Sequence, residues 1–108
     1  MSDVPGDVRD NPEQSRYDVF VGDELAGYAD YELHGEEISF PHTVTLPTFG
    51  GQGVASRLIG AALDDARCRS LSVLPYCSFV RDYLAKHPDQ LDLVPGGRRA
   101  EFGLPLAE

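Results

Sequence analysis

The spacing of hydrophobic residues changes period once along this chain, and the change falls between residues 46 and 54. Upstream, Ile38, Phe40, His42, Val44 and Leu46 alternate with Ser39, Pro41, Thr43 and Thr45, the period of a half-buried strand. Downstream, Val54, Ala55, Leu58, Ile59, Ala62, Leu63 and Ala66 recur three and four apart, which predicts one apolar face of a long helix. Earlier still, Tyr17, Val19 and Val21 alternate with Asp18 and Phe20, and Gly22-Asp23 is a two-residue hairpin signal. A second strand is expected through Leu25 to Leu33, and His34-Gly35-Glu36 turns the chain into the third. Three strands joined by short turns make an antiparallel meander.

After the helix, Leu71-Ser72-Val73-Leu74 is a short β-rich run stopped by Pro75. It is expected to lie parallel to the third strand, because a strand–helix–strand crossover returns the chain in the same direction. A second helix is predicted from about Ser78, a good cap residue, with Phe79, Val80, Tyr83 and Leu84 on one face and Pro88 as its end. Residues 1 to 15 mix prolines, acids and glycine without periodicity and read as a loose tail, which leaves one domain over residues 16 to 104. The fold class is α+β: two helices packed on a mainly antiparallel sheet.

A chain of 108 residues, 42% hydrophobic and 25% charged, suits one globular domain with a modest core. The net charge of −9 argues against non-specific nucleic-acid binding, and its distribution says more. Residues 1 to 49 carry 11 acids and 2 bases, whereas residues 50 to 108 carry 7 of each. A solvated acidic face that aids solubility gives this count. The sequence shows no signal-peptide pattern and no apolar run long enough for a membrane span, and two cysteines make no disulfide framework, so a reducing cytoplasm is expected. Two cysteines without Cys-x-x-Cys spacing and three scattered histidines suggest no metal site.

Phe49-Gly50-Gly51-Gln52-Gly53 lies where strand gives way to helix. Glycines there remove side chains that would keep a ligand away, and the first helical turn offers unpaired N–H groups and the positive end of the dipole. An anion cradle for a phosphate or pyrophosphate follows, with a plain tight turn as the alternative. No Lys-Ser or Lys-Thr pair closes it as in a Walker loop, and Ser56 occupies the last glycine position of the dinucleotide-binding pattern.

Gly51-Gln52-Gly53-Val54-Ala55 after a strand resembles the acetyl-CoA loop of the GNAT superfamily of N-acetyltransferases. His42-Thr43, Leu63-Asp64-Asp65-Ala66-Arg67, Pro75-Tyr76-Cys77-Ser78-Phe79-Val80, and Tyr83 with His87-Pro88 are similar to blocks of its minimal, single-domain N-acetyltransferase-like subfamily. Asp92-Leu93-Val94 and Arg98-Arg99-Ala100-Glu101-Phe102-Gly103-Leu104 look like the tail of bacterial members. The resemblance covers about residues 16 to 104. It implies a GNAT-like fold and an N-acetyltransferase using acetyl-CoA on a primary amine of a small molecule or protein. It places the cofactor along Val44, Thr45, Leu46, Gly50, Gly51, Gln52, Gly53, Val54, Ala55 and Ser56, with Phe79 and Tyr83 beside it. The chain departs from the pattern at Val44 and Thr48, where acids are usual, and at Gly50, where arginine is usual. Those changes remove a base or substrate anchor and one pyrophosphate contact, and keep open a second reading: an acetyl-CoA or CoA-binding module acting through a protein partner.

Two side chains are candidates for the chemistry. Cys77 lies just before a helix N-terminus, where the dipole is expected to favour thiolate, and matches the cysteine of the subfamily's Cys-x-Phe-Val block. It can hold an acetyl group, protonate a departing CoA sulfur, or simply pack where strand meets helix. His42 is expected on the apolar face of the third strand with Phe40 and Val44, as a general base for an ammonium substrate or as a satisfied core histidine. Tyr83 either contacts the pantetheine arm or fills the core, and His87 and Cys68 are expected to do no chemistry. The resulting partners are acetyl-CoA and an unidentified amine, with no nucleic acid and no membrane. An open sheet in so small a domain also leaves room for a homodimer.

Overall fold

The alternating segments pair in sequence order. A computed structural model describes residues 7–49 and 53–104. Strands β1 (Asp7–Asn11), β2 (Arg16–Val21), β3 (Glu24–His34) and β4 (Glu37–Thr45) run antiparallel, and β5 (Ser72–Leu74) lies parallel to β4 at the sheet edge. Helix α1 (Val54–Cys68) makes the β4-to-β5 crossover, and α2 (Ser78–Lys86) follows β5. Four short 3-10 turns complete the described chain: Pro47–Phe49, Pro88–Leu93, Gly96–Arg98 and Ala100–Phe102. The expected α+β fold is therefore present, with its meander extended to four strands.

That extension corrects the reading of a loose tail for residues 7 to 15, while residues 1 to 6 lie outside the described residues. β1 pairs with β2 from Asp7 opposite Phe20 to Asn11 opposite Arg16. Val8 is the one aliphatic side chain β1 packs against the core, so the strand rests mainly on its backbone ladder, which a hydrophobic pattern does not register.

The core lies between one sheet face and α1. Tyr17, Val19, Ala29, Tyr31, Ile38 and Phe40 meet Val54, Leu58, Ile59, Ala62, Leu63 and Ala66, all buried. Small residues on both sides, Ala26 and Ala29 on β3 with Ala62 and Ala66 on α1, let helix and sheet approach closely. Complete burial of a side chain such as Phe40 or Leu58 contributes ~1.5–3 kcal/mol. Val80 and Leu84 add α2 to this core, and Leu93, Val94, Phe102 and Leu104 close it from the C-terminal turns. Among the described residues no helix is long and apolar enough to cross a membrane.

A polar network holds the C-terminal end of α1 to the sheet. Tyr17 donates to the Asp65 carboxylate, and Tyr31 donates to Asp10 Oδ1 at 2.7 Å. Arg69 Nη1 lies 3.2 Å from Asp65 Oδ2 and 3.6 Å from Asp10 Oδ2. Burial first, then the hydrogen-bonded carboxylate, raises both phenols: Tyr31 is pushed up to about 12 and Tyr17 also well above its ordinary value. A raised phenol stabilises the fold fully below the unfolded pKa of about 10, and that share is lost as pH climbs through the folded value. The urea midpoint is therefore expected to fall between pH 10 and about 12, with Tyr31→Phe flattening part of the drop. A profile unchanged across that window would remove this network from the account of stability.

β4 contains an irregularity that changes the meaning of its sequence pattern. Asp30 pairs with His42, but Glu32 pairs with Ser39, so Tyr31 stands opposite both Phe40 and Pro41. The additional residue reverses the alternation, as a β-bulge does. Ile38 and Phe40 point into the core, whereas beyond Pro41 Thr43 takes the inner side and His42 is exposed. The expectation that His42 shares an apolar face with Phe40 is overturned for this reason. A second device lies on β3, where a Cβ at Gly27 would stand 2.5 Å from the Val44 carbonyl oxygen and 3.2 Å from Thr45 Cα. Any side chain there would displace the end of β4.

Candidate active site

Among the described residues, no strand pairs with the end of β4 on one side. β5 pairs only with Glu37, Ile38 and Ser39, and β4 then continues to Thr45 while the chain after β5 turns away at Pro75. Cys77 anchors that turn: its N–H donates to the Phe40 carbonyl at 2.7 Å, and its thiol reaches Thr43 Oγ1 at 3.3 Å. A gap between β4 and the start of α2 results, spanned by a half-buried Cys77–Thr43 contact.

Antiparallel pairing decides which amides face this gap. Leu46 N–H donates to the Ala26 carbonyl at 2.8 Å, so its donor is already used by β3. Bond direction alternates along a strand, which turns Val44 the same way and directs the amides of Thr43 and Thr45 to the free edge. Of Val44, Thr45 and Leu46, the positions expected along a cofactor, Thr45 is thus the one with its N–H on the open side.

α1 begins at the same end of the sheet. Its cap residue, Gly53, has φ +76° in the left-handed region and caps no amide by a side chain. The first turn holds no acid, and Arg57 N–H makes the first intrahelical bond, to the Gly53 carbonyl at 3.0 Å. The preceding amides are the donors that a helix leaves for an anion. A groove of about 320 Å³ starts here, lined by Gly53, Ser56, Arg57, Gly60, Ala61, Asp64 and Tyr83. A second, of about 160 Å³, adjoins it at Ser56 and Tyr83 and extends along α2 past Phe79 to Lys86 and His87. Together the two make one elongated depression along the junction of α1 and α2.

α2 presents two stripes. Val80 and Leu84 are buried, while Phe79, 37% exposed, and half-buried Tyr83 face the grooves. Cys77, not Ser78, is the cap residue of α2, and its side chain caps no amide because it is turned to Thr43. Tyr83 stacks on His87 with ring centroids 3.9 Å apart, and His87 Nδ1 lies 2.8 Å from the Tyr83 carbonyl. Gly60 makes room for the phenol, since a Cβ there would lie 2.9 Å from Tyr83 Oη. Burial, followed by the charges of Asp64 and Asp89, raises the Tyr83 pKa above its ordinary value, so the hydroxyl is a donor at neutral pH.

The structure thus brings Gly53, Ser56, Phe79 and Tyr83 around two adjoining grooves, whereas Cys77 lines neither and lies against Thr43 on β4. Val54 is buried in the core and Ala55 half-buried, so only their backbone can serve a ligand. Gly50, Gly51 and Gln52 lie outside the described residues. His42 stands apart on the outer face of β4, the face turned from α1. Thr43, quoted in sequence only as part of the His42-Thr43 block, was given no role at the site, since the bulge that turns it inward leaves no mark in a period-two pattern. No group of three metal-ligating side chains occurs among the described residues.

A family model described as GCN5-related N-acetyl-transferase matches residues 16–93. The solution structure of a GCN5-like protein from Staphylococcus aureus superposes with a TM-score of 0.64 at 24% identity, covering 89% of this chain and 92% of that one. That second likeness is one of fold.

Proposed function

Since the chain belongs to the GCN5-related N-acetyltransferase family, we propose that it transfers an acetyl group from acetyl-CoA to a primary amine of a small molecule or protein. The observation that carries this is the half-buried thiol of Cys77, 3.3 Å from Thr43 Oγ1 at the free edge of β4, at the same end of the sheet as the open N-terminus of α1. When bound, acetyl-CoA supplies an activated acetyl thioester. The amides of the first α1 turn and the Ser56 hydroxyl would hold its diphosphate, and the Thr45 N–H and the Phe79 and Tyr83 rings its pantetheine arm.

The placement of acid and base supports direct transfer. His42 on the outer face would take the proton that an ammonium must lose before its nitrogen attacks the acetyl carbonyl. Cys77 on the inner side would give a proton to the sulfur as the C–S bond breaks and the C–N bond forms, and the proton that the new amide nitrogen sheds would restore the thiol. The Thr43 amide at the free edge would stabilise the oxygen that gains charge. Orientation by β4 and α2 would supply much of the rate. The free thiols of Cys68 and Cys77 suit a reducing compartment such as the cytoplasm.

Isothermal titration with acetyl-CoA, followed by thiol release over a panel of polyamines, amino acids and lysine peptides, tests this reading. Binding with turnover of at least one amine is the expected result. Absence of binding would sink it. Val44, apolar where the resembling subfamily carries an acid, favours a second reading as a non-catalytic CoA-binding module, and binding without turnover on any acceptor would select that one.

A further inference from the structure

Asp30, on the outer face of the sheet, is a carboxylate that the fold does not use among the described residues. Cross-strand register aligns Asn11, Arg16, Asp30 and His42 in a single row over β1 to β4. In such a row Arg16 is placed to neutralise Asp30, yet its guanidinium turns to the adjacent row. Arg16 Nε donates to Asp18 Oδ1 at 2.7 Å, and the guanidinium carbon lies 4.4 Å from the centre of the Tyr28 ring. Asn11 Nδ2 completes Asp18 at 2.9 Å. Asp18, 5% exposed, is fully satisfied, while half-buried Asp30 takes no hydrogen bond or ion pair among the described residues. Glu32, the next acid along β3, lies beyond the bulge and pairs with His34 at 3.2 Å. Asp30 is therefore an unclaimed anion directly across from His42.

Resting on the acetyl-transfer reading, we infer that Asp30 binds the acceptor: its carboxylate holds a positively charged amine on the outer face of β4, beside His42 and across the strand from Cys77. The acceptor class is then an amine protonated at neutral pH. The carboxylate gathers the cation, the neighbouring imidazole takes its proton, and the released nitrogen reaches the free edge from the side opposite the thiol. Val44, the next outward residue of β4 after His42, offers no charge, so beside His42 the anion comes from β3.

The test is an amide-resolved NMR titration with spermidine as the cationic probe, on protein first saturated with CoA. Shifts are expected on residues 28–31 and 41–45. Asp30→Asn should weaken the apparent affinity about five- to tenfold, Asp30→Glu should retain most of it, and added salt should weaken wild type more than Asp30→Asn. Equal affinity for wild type and Asp30→Asn, or shifts confined to other strands, overturns the inference. Failure of CoA to bind in the first stage overturns the acetyl-transfer reading instead, and spermidine titrated into the CoA-free protein still judges Asp30.

Discussion

Gly53→Val is expected to weaken CoA binding by about a hundredfold, close to 2.7 kcal/mol, with a simultaneous loss of thermal stability. Gly53 sits at φ +76° as the cap of α1 and forms the start of the groove. A β-branched residue there has two courses. If it keeps the left-handed conformation, strain costs about 1–2 kcal/mol, which in a domain of this size lowers the melting temperature by roughly 4–8 °C per kcal/mol. If it relaxes, the first-turn amides rotate from their common direction and the anion site loses its donors. In either case the isopropyl group occupies space next to Ser56. Gly53→Asn separates the two, because asparagine tolerates this conformation and adds only bulk. Titration calorimetry and thermal melts on both variants check the prediction, and a dissociation constant for Gly53→Val within about twofold of wild type would refute an anion cradle at this helix start.

Cys77→Ala is expected to lower the rate of acetyl transfer by about a hundredfold or more while leaving the dissociation constant of CoA unchanged. The thiol is aimed at Thr43 and does not cap α2, so its removal leaves the helix start intact and deletes the proton source on the inner side of β4. Cys77→Ser keeps a donor there and should restore part of the rate, which a packing role would not do. Thr43→Val removes the partner that fixes the thiol and should lower the rate by a smaller factor. Thiol release measured at saturating acetyl-CoA reads all three. A Cys77→Ala enzyme as fast as wild type would make this cysteine a packing residue between strand and helix.

The parts of the fold that follow from periodicity were legible in the sequence. The shift from period two to period 3.6 between Leu46 and Val54 locates β4 and α1, and the crossover argument gives the parallel direction of β5. The parts that were hidden depend on the backbone. β1 is held by its ladder to β2 with little apolar signal, and the bulge at Phe40-Pro41 is visible only in the register. That one irregularity misplaced His42, concealed Thr43, and masked the alignment of Asp30 with His42. The glycine-led start of α1 and the position of Cys77 before α2 could be read because turn chemistry and helix caps are local. Asp30 could not, because its environment is set by Arg16 and Asp18 on another strand.

The bulge in β4 has a consequence for how this domain can vary. It makes the number of residues between Phe40 and Cys77's partner Thr43 matter independently of what those residues are. Exchange of Pro41 for another side chain leaves the strand phase untouched, whereas shortening β4 by one residue there would trade the outlooks of imidazole and hydroxyl and put the proton acceptor on the thiol's side. Insertions and deletions at this point would thus be far more damaging than substitutions, and spacing is the trait that a functioning relative must preserve.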